Sequence, residues 1–326
     1  MNKSRLKQKI PVIRTWCSLQ KQSEAIDKRI VGLKIDVENI NKKIPPLPII
    51  PTAQPSDANT ICEYYANNPC SDEIRSMVES ITKNGLKLYP YPWYNTNDKS
   101  QIVVYNDEKR DLPYVLLDNK RMYYPRNMDE KSIRNDYHLF QITEQENPLC
   151  PHKYLTAEFK VSPDDVVVDG GASNGNFSLS LVECVKKIYL FEPDDKWLEP
   201  LYATFAPWLN KVEIIPKYLS NIITENTTTI DECCKNKEFP TFIKMDIEGS
   251  EYKALIGAKN AILSGTVKKI AATVYHYQDD EIKVRGFVES LGYTAVPSEG
   301  YITVHLDTFQ PPYFRKVLLR CLQVNI

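Results

Sequence analysis

From Asp164 onward the chain alternates short apolar runs with longer mixed stretches, the runs being VVVDGG, KIYLFEP, KVEIIPKYLS, TFIKMDIEG and KIAATVYHY. A strand with no polar face is stable only where both sides of its sheet are covered, so the alternation predicts a parallel α/β sheet flanked by helices. The last segments, GYTAVP, YITVHLD and KVLLRCLQV, suit an antiparallel finish to that sheet.

The first run passes directly into glycines. In residues 166–175, VVVDGGASNG, an apolar strand is followed by Asp169, the pair Gly170 and Gly171, then Ala172 and a third glycine, Gly175. Ligands of such sheets bind at the carboxyl ends of the strands. Glycines there permit unusual φ and close approach to a ligand, and the amides of Asn174, Asn176 and Phe177 open the next helix. Glu192 ends the second run roughly 20 residues later, where a carboxylate accepts bonds from both hydroxyls of a ribose.

A dinucleotide site uses similar parts, but its glycines are spaced to hold a pyrophosphate. Here Asp169 precedes the first glycine, a position that repels phosphate and attracts the ammonium of an amino acid. The pattern predicts S-adenosylmethionine held by Asp169, Gly170, Gly171, Ala172, Asn174, Gly175, Asn176, Phe177 and Glu192, with the adenine near Leu219 and Ser220. Structural glycines and NAD are the competing readings.

Taken in order, VVVDGGASNGNFSL, YLFEPD, TIDECC and FIKMDIEGSEYKALIGA resemble the FkbM-type methyltransferase family, over residues 151–326. DIEGSE resembles that family's signature after the fourth strand, and PHKY at residues 151–154 resembles the entry seen in a bacterial subgroup. The resemblance implies a Rossmann-like class I methyltransferase with a mostly parallel seven-stranded sheet. It further implies S-adenosylmethionine-dependent O-methylation of a sugar, a surface glycan or a related metabolite.

Such a transfer must remove a proton from the acceptor. A group poised near neutral pH contributes typically about 10²–10⁴-fold to that step. Asp246, Glu248 and Glu251 follow the fourth run and His276 the fifth, so the topology gathers all four above the sheet. His276 is the first candidate base, because an imidazole with a pKa of about 6.5 is neutral in the cytosol. A histidine capping the strand end is the other reading. Asp246 and Glu248 either fix the turn or surround the acceptor hydroxyl and the cofactor's amino group. Magnesium on Asp246, Asp279 and Asp280 would acidify that hydroxyl, but oxygen ligands alone are common on surfaces, and the favoured expectation is no metal. His152 either roofs the cofactor or packs within its loop. His138, His305, Cys233 and Cys234 carry no assigned chemistry.

Upstream, Trp16, Leu19, Ile26, Ile30, Leu33, Val37, Ile40 and Ile44 recur in alternating steps of three and four, with only Ser23 interrupting. Residues 1–44 thus predict a coiled coil between subunits or a single amphipathic helix packed on its own domain. Residues 45–57 form a proline-rich linker. Residues 58–150 predict an α+β accessory region over the substrate cleft. In it Ser71 caps a helix ended by Gly85, Asp118 and Asn119 turn a hairpin, and residues 128–145 form a further helix. Tyr89, Tyr91, Trp93, Tyr123 and Tyr124 suit either stacking on a sugar or a core.

The 41 basic and 42 acidic residues leave a net charge of −1, which draws the chain to neither nucleic acid nor anionic lipid. RNA or other N-methylation is the alternative activity, yet the place of a Pro-Pro-aromatic turn holds Asp246, Ile247 and Glu248. A non-catalytic coiled-coil scaffold would have lost Asp169, Glu192 or the glycines, and all are present. Eight cysteines without metal-site spacing predict reduced thiols, and no run approaches the roughly 18 apolar residues of a membrane span. Together these predict a cytoplasmic homo-oligomer joined through its N-terminal helix, with a glycan-assembly partner as a further expectation.

Overall fold

The computed structural model describes residues 55–94, 99–303 and 306–324, all within one compact unit spanning residues 50–326. The heptad segment lies outside the described residues. Helix α1 (Pro55–Asn67) begins inside the proline-rich segment, on a proline whose fixed φ suits a first helical turn. Helix α2 (Asp72–Asn84) starts as its sequence dictates, with the Ser71 hydroxyl accepting the Ile74 amide and with Met77 and Ile81 buried.

Three antiparallel strands follow, β1 (Tyr105–Asp107), β2 (Leu112–Leu117) and β3 (Lys120–Tyr123). Asp118 and Asn119 turn the second hairpin at φ of 50° and 63°, the left-handed values that a two-residue loop requires. Helix α3 (Glu130–Tyr137) then runs into a π-helix, His138–Glu146, where a single α-helix was expected. The wider turn buries Gln141 and Glu144, and π segments recur at functional sites.

The central sheet contains β4 (Val166–Gly170), β5 (Lys187–Phe191) and β6 (Val212–Ile215). A separate short pair, β7 (Tyr218–Leu219) and β8 (Thr227–Thr228), precedes its remaining strands β9 (Phe242–Met245), β10 (Lys269–Thr273), β11 (Tyr293–Pro297) and β12 (Leu318–Gln323). Their order is β11-β12-β10-β9-β4-β5-β6, parallel throughout except for β12, which runs antiparallel to both neighbours. This is a Rossmann-like sheet with the antiparallel finish expected. Helices α4 (Asn176–Leu181), α5 (Asp195–Phe205), α6 (Ile230–Cys233), α7 (Glu251–Ile256), α8 (Lys259–Leu263) and α9 (Asp280–Ser290) connect the strands. Among the described residues no helix is long and apolar enough to cross a membrane.

Alternation along each strand separates two cores. Val167, Ile188, Leu190 and Phe242 share one, and Val166, Val168, Tyr189, Phe191 and Ile243 the other. Accessory residues Tyr89, Val115, Met122, Tyr124 and Ile133 belong to the first core, so residues 58–150 pack directly on the sheet. At about 1.5–3 kcal/mol for each fully buried large side chain, that shared surface holds the two parts as one body. The chain order reverses at β4, which lies between β5 and β9. The loops leaving β4 and β9 diverge there, and the crevice between them is where such sheets bind ligands.

Candidate active site

The loop after β4 is shaped by close packing. Gly171 and Gly175 have φ of +71° and +79°. A Cβ on Gly171 would lie 1.9 Å from the Asp246 carbonyl oxygen, and one on Gly175 would lie 2.8 Å from Leu201. Only glycine lets the β4 loop touch the β9 loop and α5 in this way. The amides of Gly171 and Ala172 donate to the Phe191 carbonyl. Asn174 accepts the Asn176 amide. The side chains of Asn174 and Asn176 donate to Asp136 at 2.6 Å and to the Phe140 carbonyl at 2.9 Å, so α3 and the π-helix roof this loop. Burial raises the Asp136 carboxyl to about 6 despite its bond to Asn174. Phe177 packs edge-on against Tyr154, and Leu219 is buried against Gly170. Ser220 continues the β7–β8 ladder, its amide on the Thr228 carbonyl.

Asp169 faces Lys244, its neighbour in the parallel register of β4 and β9. Both carboxylate oxygens are engaged, one by Lys244 Nζ at 2.9 Å and the other by Ser178 Oγ at 2.6 Å, and the side chain is fully buried. Lys244 also donates to the carbonyls of Gly170 and Gly171. The ammonium expected to meet Asp169 is thus the protein's own. A lysine inside the apolar run TFIKMD was the available signal. Glu192 ends β5, and its two oxygens accept the amides of Ser173 at 2.6 Å and Asp194 at 2.8 Å. Burial raises its carboxyl.

Asp246 occupies the centre of a second, denser cluster. Its Oδ2 accepts the Tyr154 hydroxyl at 2.9 Å and lies 3.3 Å from His152 Nε2. Its Oδ1 accepts the Thr273 hydroxyl at 3.2 Å and lies 3.5 Å from His276 Nε2. Beyond His152, Nδ1 lies 3.2 Å from Glu144, which accepts the Tyr89 hydroxyl at 2.8 Å. Beyond His276, Nδ1 lies 3.4 Å from Glu251 and Nε2 3.5 Å from Glu248. The Glu251 Oε1 atom accepts the Ile247 amide and the Thr273 hydroxyl, which ties α7 to the ends of β9 and β10. Arg315 holds the His276 carbonyl from below.

This setting differs from the one expected for His276, with acids on every side. Burial would lower the imidazole, but Glu251, Asp246 and Glu248 raise it to about 9. Burial would likewise lower His152, yet Glu144 and Asp246 raise it to about 10. Both shifts favour the protonated rings, the form in which an imidazole is not a base. Burial works against the charged form of Asp246, but the two histidines hold its carboxyl well below the ordinary range. Burial and the neighbouring Asp246 raise Glu248, whose side chain is half exposed.

The magnesium ligands considered from sequence do not assemble. Asp279 is exposed and paired with Lys283, and Asp280 is buried with its carboxylate accepting the Tyr277 amide. Asp246, Glu251 and His276 converge in their place. Glu144 was not foreseen, because nothing in a helical run marks it, and Tyr154 was noted only as part of PHKY, with no role for its hydroxyl. Of the accessory aromatics, Tyr89, Tyr123 and Tyr124 are core, whereas Tyr91 and Trp93 stack on each other beside a cavity of about 650 Å³ that Arg320 and Lys153 also line. Neither Asp246 nor Glu192 lines that cavity.

Residues 210–295, which include Asp246, Glu248, Glu251 and His276, match the family model described as Methyltransferase FkbM domain. Over those residues the chain is similar to FkbM methyltransferase domains. No curated protein matches it. Among solved structures it is similar to Methyltransferase FkbM from Methylobacillus flagellatus KT, with a TM-score of 0.42 and 23% identity over 59% of this chain. That likeness spans 55%, about half, of the Methylobacillus chain. It is also similar to an rRNA methylase from Streptococcus thermophilus, with a TM-score of 0.36 and 17% identity over 51% of this chain and 90% of that one. Precorrin-6y C5,15-methyltransferase from Geobacter metallireducens GS-15 gives a TM-score of 0.36 and 14% identity over 51% and 83% of the two chains.

Proposed function

We propose that this chain is an S-adenosylmethionine-dependent O-methyltransferase acting on a hydroxyl of a sugar, a surface glycan or a related metabolite. One observation carries the reading. Glu192 and Asp246 end β5 and β9 on either side of the β4 glycine loop, and the FkbM domain contains the second of them.

The residues fit the cofactor. Each Glu192 oxygen accepts one amide, and a carboxylate has further lone pairs for the hydroxyls of a ribose. Asp169 acts as a positioning residue, anchoring the loop through Lys244. Bound S-adenosylmethionine supplies an electrophilic methyl group. Glu248 takes the acceptor's proton, since a raised, half-exposed carboxylate is the better base of the cluster. Asp246 accepts the hydroxyl's hydrogen bond and stays ionised between its two histidines. The same acidic cluster repels a phosphate backbone, which favours a neutral acceptor over nucleic acid.

Calorimetry with S-adenosylmethionine, S-adenosylhomocysteine and NAD, on the wild type and Glu192→Ala, tests the reading. Binding of the first two, weakened about 10–100-fold in the variant as loss of hydrogen bonds to a charged group predicts, supports it. Binding of NAD in their place, or of none, overturns it. Glu248→Gln should then lower kcat by about 10²-fold or more with cofactor affinity unchanged. On this reading the chain works in the cytoplasm, and residues 1–44 pair subunits and offer a face to a glycan-assembly partner. Light scattering with and without those residues tests the pairing.

A further inference from the structure

The ends of β9 and β10 hold more than a methyl transfer requires. One ligand atom from each of Asp246, Glu251 and His276 lies within 4.8 Å of the others. Glu251 and His276 are each only 1% exposed, yet Glu251 Oε2 and both ring nitrogens of His276 make no hydrogen bond among the described residues. Buried polar atoms in that state are rare in folded proteins, and each needs a physical reason. The ring's contacts are ion-pair separations, 3.4 Å from Nδ1 to Glu251 and 3.5 Å from Nε2 to Asp246, so the two carboxylates approach different nitrogens.

A shared cation supplies the reason. Nitrogen and oxygen donors bound about 2.0–2.2 Å from one ion lie about 3–4 Å from each other, and a set of one nitrogen of His276 with one oxygen each of Asp246 and Glu251 falls within 4.8 Å. Charge points the same way: carboxylate oxygens of Glu251, Asp246 and Glu248 lie 3.4, 3.5 and 3.5 Å from the single imidazole of His276. The donor set mixes imidazole with carboxylate, which suits manganese or zinc better than magnesium and its all-oxygen shell.

We propose that Asp246, Glu251 and His276 bind a divalent transition-metal ion of the manganese or zinc type, reached from solvent past Asp246, the partly exposed member of the three. The ion's role rests on the methyltransferase reading: with the acceptor hydroxyl as a further ligand, the O–H bond breaks more readily. The electron pair stays on the oxygen, and the proton goes to Glu248.

The full chain, stripped with EDTA and dialysed, is titrated with MnCl₂ alone while free Mn²⁺ is followed by its EPR signal. One site per chain is expected. Because loss of even an outer-shell partner costs about 10–100-fold in metal affinity, Glu251→Gln and His276→Gln should each weaken the site by about tenfold or more. No binding, or binding that both variants leave unchanged, overturns the proposal. If the variants fail to fold, NMR of the wild type decides: Mn²⁺ must broaden the His276 ring signals first, and broadening confined to surface residues overturns the site. Calorimetry with S-adenosylmethionine on the same metal-free protein separates the two readings. Cofactor binding without Mn²⁺ binding removes the ion alone, and Mn²⁺ binding without cofactor binding leaves the metal site and removes the transferase.

Discussion

The two halves of the crevice are built to different standards of completion. On the β4 side every oxygen of Asp169 and Glu192 has a hydrogen-bond partner inside the protein, at 2.6 to 2.9 Å. On the β9 side His152, His276 and Glu251 are as deeply buried, but their charges meet at 3.2 to 3.5 Å and several of their atoms make no hydrogen bond. A network whose charged oxygens are all partnered fixes one geometry, whereas the β9 side, held by hydrogen bonds to Asp246 and Glu251 and by charge, leaves several buried atoms unmet. On the proposed reading the β4 side is the cofactor's cradle, and the β9 side, the acceptor half, is where chemistry alters the balance.

The largest expected effect breaks the complete half. Lys244→Met leaves the Asp169 carboxylate buried beside Ser178 with no cation, and removing one partner of a buried pair costs about 3–5 kcal/mol. Urea unfolding measures it. Asp169→Asn added to that variant should recover part of the loss, because no uncompensated charge then remains. If Lys244→Met alone unfolds within about 1 kcal/mol of wild type, the pair contributes no more than a surface one and the cradle is not rigid by this means.

The same contrast decides what could be read from sequence. Strands apolar on both faces announce a covered parallel sheet, and the order of VVVDGG, YLFEPD and FIKMDIEG placed Glu192 and Asp246 at its carboxyl edge, because position in a sheet follows from period and order. The fate of a carboxylate does not. Asp169 looked available to a ligand until the register set Lys244 beside it, 75 residues on. His276 looked neutral until three acids from the β9 loop and the start of α7 lay around it. Glu144 enters through a π turn in a segment that reads as ordinary helix. Electrostatic environment is a property of long-range contacts, and a pattern of residue types carries little of it.

A smaller effect, spread over pH, sharpens the comparison on the acceptor side. His152 and His276 are raised to about 10 and about 9 in the folded chain, against about 6.5 when unfolded. A folded-state rise means that their stabilisation is complete below about pH 6.5 and is lost as pH climbs through 9 to 10. In metal-free buffer, ΔG of unfolding should fall across that window by about 1 kcal/mol per pH unit for each ring, and His152→Gln should roughly halve the slope. A flat profile from pH 6.5 to 9 would mean that the rings are neutral in the fold, and His276 would return as the candidate base.

The smallest effect bounds the cluster at its edge. Asp279 adjoins Asp280 in sequence, but its partner is Lys283 at 2.5 Å and more than half of its side chain is exposed. Coulomb attraction between such groups is screened by water and salt, and holding two long side chains together offsets most of what remains. Asp279→Ala should therefore leave the melting temperature, the pH profile and Mn²⁺ affinity at their wild-type values. A drop in Mn²⁺ affinity would draw Asp279 into the donor set and shift the acceptor half outward toward α9. An unchanged affinity confines it to the buried groups between β9, β10 and α7, where the unmet hydrogen bonds are.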